Sequence, residues 1–337
     1  MPKEIEDPSP PNRAVITGCG SFAPAKLLTN DDLAHMVDTS DEWITTRTGI
    51  KVRHVTTDKE TTATLAIEAG RKALDYAAVD PKDLDLIVVA TITPEMPFPS
   101  TACFVQEALG AKNAWVFDLA AACSGFVYAL HVVQQFMENG TVDKALVIGA
   151  ETLTKITNWQ DRTSCILFGD GAGAVVLERG NHHSRGIMYS TLGADGQYWE
   201  TLNCRAHGSR YPAPRPLEDP NAVYMQIKGR EVYQQAVRRI VDSVTACLDH
   251  CDLTVDDISM VISHQMNARI IESAAKRLKL PDEKVFVNIA QYGNTSAASV
   301  PIAFDECVRA GKLKKGDIFI FVAFGAGVTW GANVIQF

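Results

Sequence analysis

Three residues in this chain have side chains suited to work on an acyl group: Cys123, His264 and Asn294. Cys123 lies in "VFDLAAACSGFVYAL" (116–130), where an apolar run gives way to small residues and then to a helical pattern. A thiol at a helix start meets unsatisfied N–H groups and the positive end of the dipole, which favour a thiolate. The small neighbours in "ACSGF" let a substrate come close to the backbone. His264 stands in "VISHQMNAR", directly after a buried-strand pattern, and Asn294 in "QYGNTSAASVP", between a glycine and a run of small residues. Taken singly, each has a plainer use: a small residue in a tight junction, a core histidine, a turn former. Taken together they fit two reactions. In a cysteine hydrolase the histidine is the base and the asparagine orients it. In a decarboxylating condensation both donate hydrogen bonds to a developing enolate oxygen. The residues alone leave that choice open.

The elements that must position these side chains alternate along the chain. "RAVITGCG", "DLDLIVVAT", "AWVFDLA", "KALVIGAE", "GAVVLER", "DISMVISH", "KVFVNIA" and "DIFIFVAF" read as buried strands. "TATLAIEAGRKALDYAA", "GFVYALHVVQQFMENG", "REVYQQAVRRIVDSVTACLDHC" and "ARIIESAAKRLKL" carry apolar residues at helical spacing. The pattern predicts an α/β fold with largely buried sheets. It also repeats. "PKDLDLIVVAT" (81–91) matches "VDDISMVISHQ" (255–265) at an offset of 174, and "VFDLA" (116–120) matches "FVNIA" (286–290) at 170. Each pair is followed by a small-residue turn, a helix, a glycine (Gly140, Gly311) and a strand. We read two homologous halves, residues 13–180 and 181–337, after a polar, proline-rich lead (1–12) expected to be disordered. Cys123 then follows a strand of the first half, while His264 and Asn294 follow strands of the second. Equivalent strand ends would converge near a shared axis, where α/β folds place ligands.

Composition narrows the class. The chain has 337 residues, 46% of them hydrophobic, and a net charge of -8. That supports a large core and argues against nucleic acid as the main ligand. No apolar run reaches the length of a membrane span, and no signal-peptide core is evident. The eight cysteines are scattered through apolar segments without paired spacing, as expected of reduced thiols in a cytoplasmic protein. Other motifs have bland explanations. "VITGCGSFA" (15–23) fits a dinucleotide pattern, but Pro24 follows at once, so its glycines are expected to serve a tight turn. "FGDGAGAVV" (168–176) lacks the lysine of a phosphate loop and reads as close packing. "CLDHC" (247–251) lacks a fourth zinc ligand, so no metal is expected; His182-His183 falls at the linker between halves and is expected to be solvated.

"TSDEWITTRTGI" (39–50), "FPSTACFVQEALG" (98–110), "DLAAACSGFVYAL" (118–130), "FGDGAGAVVLE" (168–178), "SHQMNARII" (263–271), "YGNTSAASVP" (292–301) and "AFGAGVTWG" (323–331) carry a specific resemblance. In this order they resemble the β-ketoacyl-acyl carrier protein synthase III enzymes of type II fatty acid synthesis, within the thiolase-like superfamily. The resemblance covers nearly all of the chain after residue 13. It implies a thiolase-like fold of two halves in α-β-α-β-α layers. It implies an acyltransferase without a cofactor that condenses a short acyl-CoA, acetyl-CoA foremost, with malonyl-acyl carrier protein. The products are a 3-oxoacyl-acyl carrier protein, CoA and CO2. Cys123 would carry the acyl group, and His264 and Asn294 would stabilise the enolate. The Cys123 and Ala326 N–H groups would form the oxyanion hole.

The same resemblance implies further roles. Trp43 and Arg162 would sandwich the adenine of CoA, and Arg47 would contact its phosphate. Gly229 and Asn267 would line the pantetheine tunnel. Phe98 would reach from a homodimer interface into the partner's acyl pocket. Arg269, Lys276 and Arg277, near one helix face, would dock the acidic carrier protein. Departures from the family pattern are Ala326 in a turn that commonly holds three glycines, Ser124 where alanine is common, and Gln234 in place of a basic residue. The segment 203–224 is the weakest match. These departures bear on acyl specificity. A relative from secondary metabolism, with another starter or acceptor, is the alternative; a cysteine hydrolase and a non-catalytic acyl-carrier binder are more distant ones. If the helix start activates the thiol, alkylation of Cys123 should persist below the free-thiol pKa of about 8.5.

Overall fold

The computed structural model describes residues 13–181, 185–206, 208–213 and 216–337. The lead 1–12 and the pair His182-His183 lie outside the described residues. Nine strands build two main sheets: β1 (Ala14–Phe22), β2 (Leu86–Ala90), β3 (Trp115–Leu119), β4 (Lys144–Thr152), β5 (Asp170–Arg179), β6 (Gly186–Ala194), β7 (Met260–Ser263), β8 (Ile318–Gly325) and β9 (Thr329–Gln336). The helices used below are α1 (Asp41–Thr48), α2 (Thr62–Ala77), α3 (Thr101–Leu109), α4 (Gly125–Glu138), α5 (Gly229–His250), α6 (Ala268–Leu278) and α7 (Ser299–Arg309).

The first sheet runs β1-β5-β4-β2-β3 and the second β6-β9-β8-β7. Their pairing senses match. In each, two antiparallel pairings lead from the outer strand to a parallel one: β1·β5, β5·β4 and β4·β2 against β6·β9, β9·β8 and β8·β7. Buried clusters define the layers. One joins α4 and α7 to the inner faces of both sheets. A second packs α2 and α3 on the outside of the first sheet. A third packs α5 and α6 on the outside of the second. The result is an α-β-α-β-α stack, with α4 and α7 between the sheets and α2, α3, α5 and α6 covering their outer faces.

One expected strand is absent. "KVFVNIA" forms only an isolated parallel bridge, Val285 to Val261, where β3 would have its counterpart. The reason is a side chain that takes over the ladder. Gln265 Nε2 donates to Phe286 O at 3.1 Å, and Gln265 Oε1 accepts the Asn288 N–H at 3.0 Å. The backbone groups are satisfied without a strand. Strands β6 and β9 and helix α3 were not legible as separate elements, because small and polar residues break their apolar periodicity.

The glycines of "VITGCGSFA" serve packing within a strand, not a turn. Side chains on Gly18 or Gly20 would collide with the backbone of α2 at Ala73. Gly149 and Gly173 play the same part on the opposite face, where added carbons would strike Ala297 and Ile302. These two bring the 296–298 turn and α7 onto the first sheet, and so join the halves. Gly149→Ala is expected to cost about 3 kcal/mol through overpacking. A urea melt would show the midpoint falling with the slope preserved; an unchanged midpoint would mean that the turn moves aside freely. In "CLDHC", Cys247 is buried and the His250 ring stacks on Tyr189 at 3.7 Å. No helix of the described residues is long and apolar enough to cross a membrane.

Candidate active site

Cys123 sits in a single tight turn (Ala122–Ser124) between β3 and α4, so the α-helix proper begins two residues later. His264 follows β7, and Asn294 precedes the turn that opens α7. The three side chains come together on one small cavity of about 120 Å³ that Gly229, Asn267 and Gly325 also line. All three are nearly buried, at 7%, 1% and 7% exposure. The turns before α4 and α7 are matched: Ala122 and Ser296 both have left-handed backbone, with φ of 47° and 49°. Such a conformation costs a non-glycine residue roughly 1–2 kcal/mol, so the packing around both turns must hold them.

The polar contacts fix which atoms face the cavity. Asn294 Oδ1 accepts the Ser296 N–H at 2.9 Å, which leaves the Nδ2 protons for a ligand. His264 Nδ1 lies 2.5 Å from Ser299 Oγ, and that oxygen also accepts the Gln265 N–H at 3.3 Å. The assignment that satisfies all partners has the Ser299 hydroxyl donating to Nδ1. Nε2 then carries the proton and is the donor left for the cavity. Burial lowers the His264 pKa to about 3, so the ring is neutral across the physiological range. Two neutral donors therefore flank the thiol.

The burial of Cys123 works against the expected thiolate. Burial pushes the Cys123 thiol up to about 12; the neighbouring Ser296 hydroxyl pulls it down, and the charge of Glu151 raises it further. Desolvation of the charged sulfur outweighs the short turn's N–H groups. Alkylation below the ordinary thiol range is therefore no longer expected.

A second cavity of about 540 Å³ opens on the other side of Cys123. Ile92, Leu153, Ile156, Phe168, Leu202 and Met225 make it apolar, and Ala326 and Gly327 contribute to its wall. Gly325 is pressed against the Cys123 and Ser124 N–H groups, so a side chain there would close the site. Ser124, one of the departures, has a structural use. Its Oγ lies 2.7 Å from both Ala121 O and Thr329 Oγ1, and Thr329 Oγ1 lies 3.1 Å from Ala326 O. This cluster ties the nucleophile's turn to the 325–327 turn.

The smaller cavity connects outward through Asn267. Asn267 caps α6 and donates from Nδ2 to Arg47 O at 3.1 Å. Arg47 and Arg162 lie over Trp43, 4.5 and 4.9 Å from the ring centre, and Arg162 also donates to Asp38 O at 2.7 Å. Phe98 is not a core residue; it is 83% exposed and lines neither cavity of its own chain. Arg269, Lys276 and Arg277 are exposed on α6, and Arg269 lies two residues from Asn267, which lines the smaller cavity. Sequence reasoning missed Glu151, Ser296 and Ser299. The last two stand inside "YGNTSAASVP", but nothing in that run distinguishes a serine that bonds a histidine from one that fills a turn.

Comparison with known proteins identifies the family. The model of "3-Oxoacyl-[acyl-carrier-protein (ACP)] synthase III" matches residues 117–196, and that of its C-terminal region matches 248–337. A β-ketoacyl-[acyl-carrier-protein] synthase III of Caldanaerobacter subterraneus subsp. tengcongensis is 55% identical over 324 residues, covering 96% of this chain and 97% of its own. The crystal structure of 3-oxoacyl-[acyl-carrier-protein] synthase III from Aquifex aeolicus superposes with a TM-score of 0.89 at 45% identity, covering 96% of this chain and 100% of its own. The priming β-ketosynthase of the R1128 polyketide pathway superposes with a TM-score of 0.90 at 34% identity, covering 98% of each chain. With both family models matched and 55% identity sustained over 324 residues, this chain belongs to the β-ketoacyl-acyl carrier protein synthase III family.

Proposed function

We propose that this chain is the acyltransferase that starts a fatty acid, condensing acetyl-CoA with malonyl-acyl carrier protein, and that Cys123 carries the acyl group between the two substrates. The convergence of one thiol and two fixed neutral donors on a single cavity carries this reading. Cys123 attacks the thioester and CoA leaves. The acyl chain lies in the apolar cavity of about 540 Å³. Malonyl-acyl carrier protein then enters along Gly229 and Asn267. His264 Nε2–H and Asn294 Nδ2–H hold its thioester oxygen as CO2 departs, and the carbanion attacks the acyl carbon. The Cys123 and Ala326 N–H groups receive the oxyanion of each acyl transfer. Acting as a base would leave the His264 ring charged, which its burial disfavours. The electrons for the new bond come from the malonyl carboxylate, so the chemistry calls for no cofactor or metal.

The surroundings fit the substrates. Trp43, Arg47 and Arg162 offer a planar, cationic clip for adenine and phosphate. Arg269, Lys276 and Arg277 offer cations to an acidic carrier protein beside the same entrance. The exposed Ile92, Met96, Phe98 and Trp115, beside the open edge strand β3, suit a second copy of the chain, into whose cavity Phe98 would reach. A secondary-metabolism starter is the runner-up, favoured by the size of the apolar cavity and the likeness to a priming polyketide ketosynthase.

The test is to supply the pure protein with a panel of acyl-CoAs and malonyl-acyl carrier protein. Acylation of Cys123 is read by intact mass, and product by chromatography. Acetyl loading followed by a 3-oxoacyl product is the expected result. Preference for a long or aromatic starter would shift the reading to the runner-up. Steady thioester hydrolysis without the malonyl donor would overturn both in favour of a hydrolase.

A further inference from the structure

A buried acid stands one hydroxyl away from the nucleophile. Glu151, near the end of β4, has no exposed surface. Its carboxylate accepts from Thr91 Oγ1 at 3.2 Å, the Ile92 N–H at 3.2 Å, the Thr93 N–H at 3.1 Å and Thr93 Oγ1 at 2.5 Å. These four bonds come from one loop and would suffice to anchor it. A fifth comes from the other half of the molecule: Ser296 Oγ donates to Glu151 Oε1 at 3.0 Å. A hydroxyl has a single proton to give. Ser296 and Cys123 line the same cavity, and with that proton on Glu151 the Ser296 oxygen keeps its lone pairs to offer the thiol. Ser296 is held in this place by the left-handed turn described above.

We propose that Glu151, acting through Ser296, holds the proton of Cys123 for as long as the acyl group sits on the sulfur; this rests on the acyl-transfer reading of the site. As the sulfur bonds to the acyl carbon its proton becomes acidic. It passes to Ser296 Oγ while the Ser296 proton passes to Glu151. CoA leaves as its thiolate and takes a proton from solvent. When the carbanion later attacks the acyl carbon, Cys123 leaves as thiolate, and the proton returns from Glu151 by the same hydroxyl. One solvent proton is consumed per turnover, as the overall reaction requires. Glu151 touches no substrate and is a positioning residue for a proton.

The carboxyl is suited to this exchange, since burial raises its pKa to about 7 against the pull of its hydrogen bonds. The titratable groups around it are few. Cys123 and His264 lie in the site itself. Asp170 on β5 is engaged by Thr56 and Thr154, and Glu95 on the following loop by the Ala63 N–H. No ion pair to Glu151 exists among the described residues.

The experiment is rapid-quench acylation of Cys123 by acetyl-CoA from about pH 6 to about pH 9, followed by intact mass, for the parent, Glu151→Gln, Glu151→Asp and Ser296→Ala. In the parent the acylation rate should rise through an inflection near the Glu151 pKa. Glu151→Gln and Ser296→Ala should each lose that inflection and about 100-fold in rate at the high-pH end, with KM for acetyl-CoA unchanged. Glu151→Asp should restore both in some measure. An inflection and rate retained in either Glu151→Gln or Ser296→Ala overturns the proposal. So does a loss expressed only in KM, which marks a merely structural carboxylate. Should Glu151→Gln fail to fold, Ser296→Ala decides alone. A parent that takes no acyl group from any acyl-CoA refutes the functional reading instead, and the two failures are thus told apart.

Discussion

His264→Ala is expected to take an acyl group from acetyl-CoA at close to the parent rate, and to decarboxylate malonyl-acyl carrier protein about 100–1000-fold more slowly. The split follows from the ring's state. His264 is buried, neutral and bonded at Nδ1 to Ser299, so Nε2–H is a donor and not a base. A donor matters where negative charge grows on the thioester oxygen of malonyl, and much less where sulfur meets the acyl carbon. The two half-reactions separate cleanly: acylation by mass in the absence of malonyl donor, decarboxylation by CO2 release. If both rates collapse together, the imidazole is taking the thiol's proton, and the division of roles between His264 and Glu151 is wrong.

Cys123→Ala should abolish covalent loading and lower condensation by about 10⁶-fold, the scale seen when a nucleophile is removed from an intact site. It should nevertheless retain decarboxylation of malonyl-acyl carrier protein, because His264 and Asn294 are positioned by Ser299 and Ser296 and not by the thiol. Stability should change little, since the side chain borders a cavity and its loss leaves no sealed void. The informative counter-result is an acyl adduct that persists on the variant. Cys204, an exposed thiol on the wall of the same cavity, is where it would be sought. Its presence would mean that the nucleophile had been misassigned.

The chemistry was more legible than its supports. Cys123, His264 and Asn294 could be found because strand ends and small-residue turns are local patterns, and because an internal offset placed them in corresponding positions. The layers followed from helices and strands with strong apolar periodicity. What escaped depends on contacts across the chain. Glu151 reads as a strand-end acid until Ser296, 145 residues away, bonds it. Ser299 reads as a helix start until it meets His264. The expected strand at 285–290 failed because the Gln265 amide, invisible to any periodicity, supplies its hydrogen bonds. The expected thiolate failed for a related reason: a helix start is visible in sequence, whereas the depth of burial that outweighs it is a property of the assembled halves. Phe98 illustrates the reverse, an aromatic that the structure leaves 83% exposed.

The stacking of Arg162 on Trp43 bears on how fast the enzyme can cycle. Under the proposed function, an arriving adenine would have to separate a pair of groups that already satisfy each other, and would gain only the difference between the new stack and the old one. On that proposal the grip on the nucleotide would be capped, because Arg162 has the Trp43 ring to return to once CoA leaves. In a ping-pong scheme, where carrier protein must use the doorway that CoA has just vacated, a weak hold on the first product is what keeps the second substrate from waiting.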